Sequence, residues 1–444
     1  MLLMLTLLAT PLVMTYYVAR ISLQSGFRVV DLGVTFIWIV FLYAFFPLLG
    51  IWFASLGLGM LTDQRLGNGV PDSALVLSVG SSYAAFMLAF SWVYSWWRAA
   101  RSCNADVWQV PTSPDIRSIV VLVAVIKLGL LVFRFMLGAD VSDDYISSYI
   151  TLRGQSQLIQ QLSGLLTATD FAATVLLIVA AVAYAPRFHT LIAGLVGLQI
   201  VTAIAAGGSR TSAFLYAFAF VVARTAYGRR LRSSSLAIYG IGGLAAFLLA
   251  GLIRAGIETV EGPLTLQILQ SSEFISVFYN SLDLLERRDD FDLLGVKVGM
   301  YLVDVLRLIP QQIIGDLKVD PASFYVSTFY PEFSDAGGGL AFGAISESTI
   351  GFGLPEAFVR GALLGWLYAA IANQCLNGKL TVIRMFVYVW FVVMSYHAIR
   401  DTTFSTLPRF FMQVLPLLVA LRLTGTLKSA TRKLIILRPT TGHQ

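Results

Sequence analysis

The residues most able to do chemistry in this chain are arginines placed where arginines are costly. Arg210 follows Gly207 and Gly208 in GGSRTSAFL, between two apolar runs. Arg254 closes the run GLIRAG, Arg400 follows MSYHAI, and Arg409 lies in STLPRFF. A charge at the centre of a bilayer costs about 2.5–3.5 kcal/mol, so an arginine near the end of an apolar run either snorkels to water or meets an anion. Planar guanidinium groups pair in bidentate fashion with phosphates and carboxylates, and paired glycines let backbone N–H groups approach such a ligand closely. The set therefore points to an anion pocket built from the ends of several helices.

Acidic and basic partners lie on the same stretches. Asp401 follows Arg400 directly, as an ion-pair partner or a reacting group. Glu347, in AISESTIGFG, is either a general base with a pKa raised by desolvation or a hydrogen-bonded structural carboxylate at a helix start. His397 sits one helical turn before Arg400. No metal site is expected, because three histidines and two cysteines show no ligand spacing. The acidic pairs Asp143–Asp144 and Asp289–Asp290 fall in loops. Nucleotide-binding glycine fingerprints and a nucleophile elbow are both missing from the sequence, so no cofactor is expected. An enzyme of this kind would need a substrate that is already activated.

The elements that must position these residues are read from the apolar runs. Of 444 residues, 57% are hydrophobic and 13% charged, and the mean hydropathy is +0.76. Repeated apolar stretches of membrane-spanning length exclude a soluble globular chain and predict an all-α polytopic transmembrane bundle. About eleven spans are expected, near 1–18, 33–60, 74–97, 118–138, 165–185, 190–206, 211–226, 235–256, 354–376, 382–399 and 406–424. The basic residues of the short loops, Arg98, Arg101, Arg187, Arg229, Arg230, Lys379 and the tail among them, fall on one side. That side is assigned to the cytoplasm, with the N-terminus out and the C-terminus in. The first run lacks a basic leader and reads as a retained span. Cys103 and Cys375 fall on cytoplasmic loops, and no disulfide is expected. Net charge is +6, and about 25 of the 31 basic residues are arginine.

The whole chain reads as one integral membrane domain, 1–444, with a large external loop at 257–353. Within that loop LTLQILQSSEFISVFYNSLDLL and FDLLGVKVGMYLVDVLRLI read as amphipathic interfacial helices that roof the bundle. No internal repeat is visible, and the charges gather at one face, which disfavours a transporter with mid-span charges and broken helices.

IAAGGSRTSAFLYAFAFVVAR, LIRAGIE, GGGLAFGAISESTIGFGLPEAFVRGALLGWL and AIRDTTFSTLPRFFMQVL together resemble the Wzy-type O-antigen polymerases, the common antigen polymerases included. The resemblance is best from about Ile200 onward. Arg153–Gly164 and Arg288–Gly299 fit an Arg-x10-Gly spacing described for some members, but about two such matches arise by chance in this composition. The resemblance implies an inverting glycosyltransferase of the bacterial inner membrane, active at the periplasmic face. It would take undecaprenyl-diphosphate-linked oligosaccharides, with membrane lipid and a chain-length regulator as partners and no nucleic acid. By position, Arg210, Arg254, Arg400 and Arg409 would hold the diphosphate and Glu347 would be the base, with Asp401 or His397 in reserve. Tyr330 and Phe329 would stack on sugar faces. An O-antigen ligase, which delivers the glycan to a lipid A core, and a glycan transporter are the competing expectations. The external loop's lack of histidine favours polymerase over ligase.

Overall fold

A computed structural model of the protein describes residues 2–24, 30–56, 71–99, 116–136, 157–184, 210–226, 273–287, 301, 306, 309, 321–335, 341–376 and 381–423. Among these residues every regular element is helical. In chain order they are α1 (Leu2–Gln24), α2 (Leu32–Ser55), α3 (Ser73–Ala99), α4 (Ile116–Met136), α5 (Gln157–Tyr184), α6 (Arg210–Ala226) and α7 (Glu273–Glu286). There follow α8 (Pro321–Phe329), α9 (Pro331–Asp335), α10 (Ala344–Ile350), α11 (Leu354–Leu376), α12 (Val382–Met394), α13 (His397–Arg400) and α14 (Thr406–Leu423). Among the described residues six segments are long and apolar enough to cross a membrane: Leu3–Arg20, Leu32–Ser55, Ser73–Arg98, Gly164–Ala183, Val382–Arg400 and Thr406–Leu423. Trp92 and Trp96 each keep 67% of their surface exposed on α3, which suits a lipid-facing flank.

Local sequence sets where the helices begin. Asp31 caps α2, its carboxylate accepting from the N–H groups of Gly33 (2.9 Å) and Val34 (3.1 Å). Thr381 caps α12 through the N–H of Arg384. The second span was expected over 33–60; the helix ends at Ser55, and residues 57–70 lie outside the described residues.

The centre of the bundle is the packing of α3 against α11. Gly361 and Gly365, one turn apart, face the carbonyls of Phe86 and Phe90 so closely that a Cβ would stand 2.3 Å and 2.6 Å from those oxygens. Small residues at this spacing are what let membrane helices approach backbone to backbone. Because 361 meets 86, 365 meets 90, and Asn373 reaches the carbonyl of Trp97, the two helices run parallel. Phe36 of the antiparallel α2 fills the space beside them, its ring near Phe86, Phe90 and Tyr368. The far ends are tied together by a buried polar knot. Arg98 Nε lies 3.8 Å from Asp31 and Arg98 Nη1 donates to Asn373, while Tyr94 donates to Asp31. Tyr388 donates to the Val30 carbonyl and accepts from the Leu32 N–H.

The expected roof takes another form where it is described. α7 covers the second half of the first amphipathic segment, but its side chains from Phe274 to Leu284 are buried or half-buried. Phe274 packs on Tyr43 and Phe46, and Phe278 stacks on Tyr83. Tyr43 is the twelfth of the 24 residues of α2, so α7 reaches the middle of that helix. It is wedged between helices, its apolar face satisfied by protein. The second segment lies almost wholly outside the described residues.

Candidate functional site

The end of the bundle opposite the Asp31–Arg98 knot is where the polar side chains converge. α12 stops at Met394, and the chain makes one further turn, α13, before Asp401 caps it with its N–H on the His397 carbonyl. Ser405 folds back to donate to that same carbonyl at 2.9 Å. This tight hairpin of chain between α12 and α14 brings His397, Arg400, Asp401 and Arg409 together. His397 Nδ1 is 2.7 Å from Asp401 Oδ2, and Arg409 Nη2 donates to the same oxygen at 2.5 Å. Arg400 Nε lies 3.9 Å from Asp401 Oδ1. Burial works against the charge on Asp401, but His397, Arg409 and Arg400 outweigh it and hold the carboxyl well below its ordinary range. An ionised Asp401 can only accept, so the proton between it and His397 belongs to Nδ1 of the ring. The guanidinium-bearing side chains of Arg400 and Arg409 stay 32% and 37% exposed, enough for a ligand to reach them.

Beside this cluster is a second, closed one. Glu347 lies on α10, a seven-residue helix buried throughout. Its Oε2 accepts from Arg360 Nη1 (2.8 Å), the Thr403 N–H (2.9 Å) and the Thr403 hydroxyl (2.7 Å). Arg360 Nε donates to Glu356 Oε1 at 2.7 Å, and Glu356 Oε2 accepts from Tyr301 and from the Phe352 N–H. Of the two expectations for Glu347, general base or hydrogen-bonded structural carboxylate, this setting fits the second. Three donors meet one oxygen of a residue only 2% exposed, as a buried carboxylate requires.

Phe329 and Tyr330 belong to a third group. Tyr330 and Tyr325 donate to Asp283 Oδ2, and Arg287 Nε donates to Asp283 Oδ1 at 2.8 Å. Burial and the bond to Asp283 push the Tyr330 phenol up to about 12. The Arg287 guanidinium stands 5.3 Å from the Phe329 ring centre and 5.7 Å from that of Tyr330. Phe329 and Tyr330 thus already pack against Arg287, the residue that follows α7, which leaves less of each ring for a sugar.

Of the expected site residues, the structure gathers His397, Arg400, Asp401 and Arg409 and ties Glu347 to the turn between them by two hydrogen bonds from Thr403. Arg210 opens α6, though its side chain is not among those described; Gly207, Gly208 and Arg254 lie outside the described residues. Cys375 is a buried free thiol, and Cys103 is outside the described residues. No group of three metal-ligating side chains occurs among the described residues.

Two features escaped the sequence reading. Arg360 was passed over, although Glu356 and Arg360 at i, i+4 inside an apolar helix are themselves a signal of a paired intramembrane charge. Lys127 and Asp170 form a 2.9 Å ion pair midway along α4 and α5, so charge is not confined to one face. Both residues were visible in the sequence, Lys127 with Arg134 in the expected span 118–138 and Asp170 as the single ionisable residue of 165–185.

These observations define a helical, multi-pass membrane protein with a polar cluster at one end of its bundle. No protein-family model, no curated protein and no solved structure matches the chain.

Proposed function

We propose that the chain is a membrane glycosyltransferase that polymerises undecaprenyl-diphosphate-linked oligosaccharide units at the periplasmic face of the bacterial inner membrane. The observation that supports this best is the convergence of two partly exposed guanidinium groups, Arg400 and Arg409, beside the His397–Asp401 pair. Preorganised positive charge of this kind stabilises a diphosphate as it leaves. His397, with Nδ1–H on Asp401, has Nε2 as the nitrogen that takes a proton. In the reaction, an acceptor sugar hydroxyl oxygen forms a bond to the anomeric carbon of the donor. The bond from that carbon to the diphosphate oxygen breaks, its electron pair leaves with the lipid diphosphate, and the hydroxyl proton passes to His397. Arg210 and Arg254 join the anion site in this reading, with Gly207 and Gly208 allowing the approach. About eleven spans, an external loop over 257–353, an outside N-terminus and a chain-length regulator as partner complete it.

The test is to incubate the purified protein with an undecaprenyl-diphosphate-linked repeat unit, without nucleotide or metal, and to separate the products on a gel. A ladder rising by one repeat unit per rung supports the polymerase. Unchanged substrate that is transferred once a lipid A core acceptor is added supports the ligase instead.

A transporter of lipid-linked glycan is the second reading, and the Lys127–Asp170 pair favours it, because mid-span ion pairs often mark a translocation or proton path. Movement of labelled lipid-linked glycan across proteoliposomes, with no ladder, would select that reading.

A further inference from the structure

The turn at residues 401–405 is held from two sides by groups that face no substrate in the proposed reaction. On one side, Thr403 gives both its N–H and its hydroxyl to a single oxygen of Glu347, and Arg360 Nη1 donates to that oxygen and to the Thr403 hydroxyl at 3.1 Å. Arg360 is itself anchored through Nε to Glu356, on the same helix. The planar guanidinium spans two carboxylates and a hydroxyl at once, a geometry that an ammonium group does not reproduce. On the other side, the N–H of Gly343 donates to the Asp401 carbonyl at 2.9 Å. Gly343 has φ +94°, and a Cβ there would stand 2.6 Å from Val277 and 3.2 Å from the Ile399 carbonyl. Only glycine fits that position. The backbone is thus fixed at Asp401 and at Thr403, with Thr402 buried between them.

We infer that Arg360, Glu347 and Thr403 form a clamp that sets the 401–405 turn, and through it the placement of Arg400 and Asp401, so that all three are positioning residues. This rests on the reading of His397, Arg400, Asp401 and Arg409 as the site of the lipid diphosphate. The clamp joins α10 and α11 to the α13–α14 turn by side chains 13, 43 and 56 residues apart in sequence, and all three are buried. Glu347 is the pivot of that clamp, the structural one of its two expected roles. A displacement of about 1 Å in such groups is enough to cost about 100-fold in rate.

The test uses full-length protein in lipid nanodiscs and reads structure and activity separately. For structure, Cys103 and Cys375 are replaced by serine, and spin labels are placed at Leu354→Cys and Phe404→Cys. Glu347→Gln and Thr403→Val each broaden the distance distribution between the labels, and Thr403→Ser restores it. A distribution that stays narrow in both Glu347→Gln and Thr403→Val overturns the clamp. For activity, Glu347→Gln and Arg360→Lys lower kcat about 100-fold and leave KM near the wild-type value. The acid limb of the pH–rate profile stays where it was, because His397 is untouched. Loss of that limb in Glu347→Gln would make Glu347 the base and end the inference. If the wild-type protein forms no ladder while the distribution broadens as expected, the clamp stands and the polymerase reading falls.

Discussion

Lys127 of α4 and Asp170 of α5 meet at 2.9 Å, halfway along the two helices. Neither charge is near a helix end; the Asp170 side chain is 13% exposed and that of Lys127 35%. The pair is the main polar tie between α4 and the rest of the bundle among the described residues. Removing one partner strands the other, which costs more than removing both. Lys127→Ala is expected to lose about 1–3 kcal/mol of stability. The double variant Lys127→Ala/Asp170→Ala should recover part of that loss. Thermal unfolding of the four members of this cycle in detergent measures the coupling, and a double variant as unstable as the sum of the singles would show none.

Arg409→Ala is expected to lower the polymerisation rate about 100- to 1000-fold, the effect of deleting one preorganised donor from a site that stabilises departing charge. The protein should still fold, because the Arg409 side chain is 37% exposed and Asp401 keeps His397 and Arg400. Initial rates of ladder formation, read beside size-exclusion profiles, separate a lost activity from a lost fold.

Glycine contacts give a prediction of opposite sign at two positions. Gly361→Ala places a methyl group against the Phe86 carbonyl and forces α3 and α11 apart, at a cost of about 1–3 kcal/mol. Gly129→Ala on α4 meets nothing within 4 Å and should stabilise by about 0.5–1 kcal/mol through helix propensity alone. Melting temperatures of the two variants should move in opposite directions.

Asp401 makes part of the stability depend on pH. Its carboxyl lies below the ordinary value of 3.8, so its ion pairs contribute in full above that value. The contribution falls away only as pH drops through the lower, folded-state value. The difference in melting temperature between wild type and Asp401→Asn should therefore be constant near neutrality and shrink only below about pH 4. A difference that already shrinks near pH 6 would mean that the carboxyl is not held down.

Helices are legible in this sequence because each apolar run declares itself locally. The run beginning after Asp31 becomes α2 with that aspartate as its cap, and the runs near 354–376 and 406–424 become α11 and α14 within a residue or so. His397, Arg400, Asp401 and Arg409 were also readable as one group, since they lie within thirteen residues and a single turn joins them. What the sequence hid is pairing between distant helices. Nothing local says that Glu347 will face Arg360 and Thr403 rather than a substrate, because that depends on how α10 docks against α11 and the α13–α14 turn. The same holds for α7, whose amphipathic pattern suits a membrane surface as well as a slot between helices. Its aromatic partners Tyr43, Phe46 and Tyr83 come from elements some 200 residues away.

The side-by-side course of α3 and α11 carries an address with it. α3 is long and apolar enough to cross a bilayer, and a parallel α11 that crosses beside it must leave on the same side, so a reporter attached after Ala99 and another attached after Leu376 should then read alike. The cluster around Asp401 stands near where α11 begins, at the end of the helix pair away from both reporters, so the same two fusions would also report on which side a ligand reaches it.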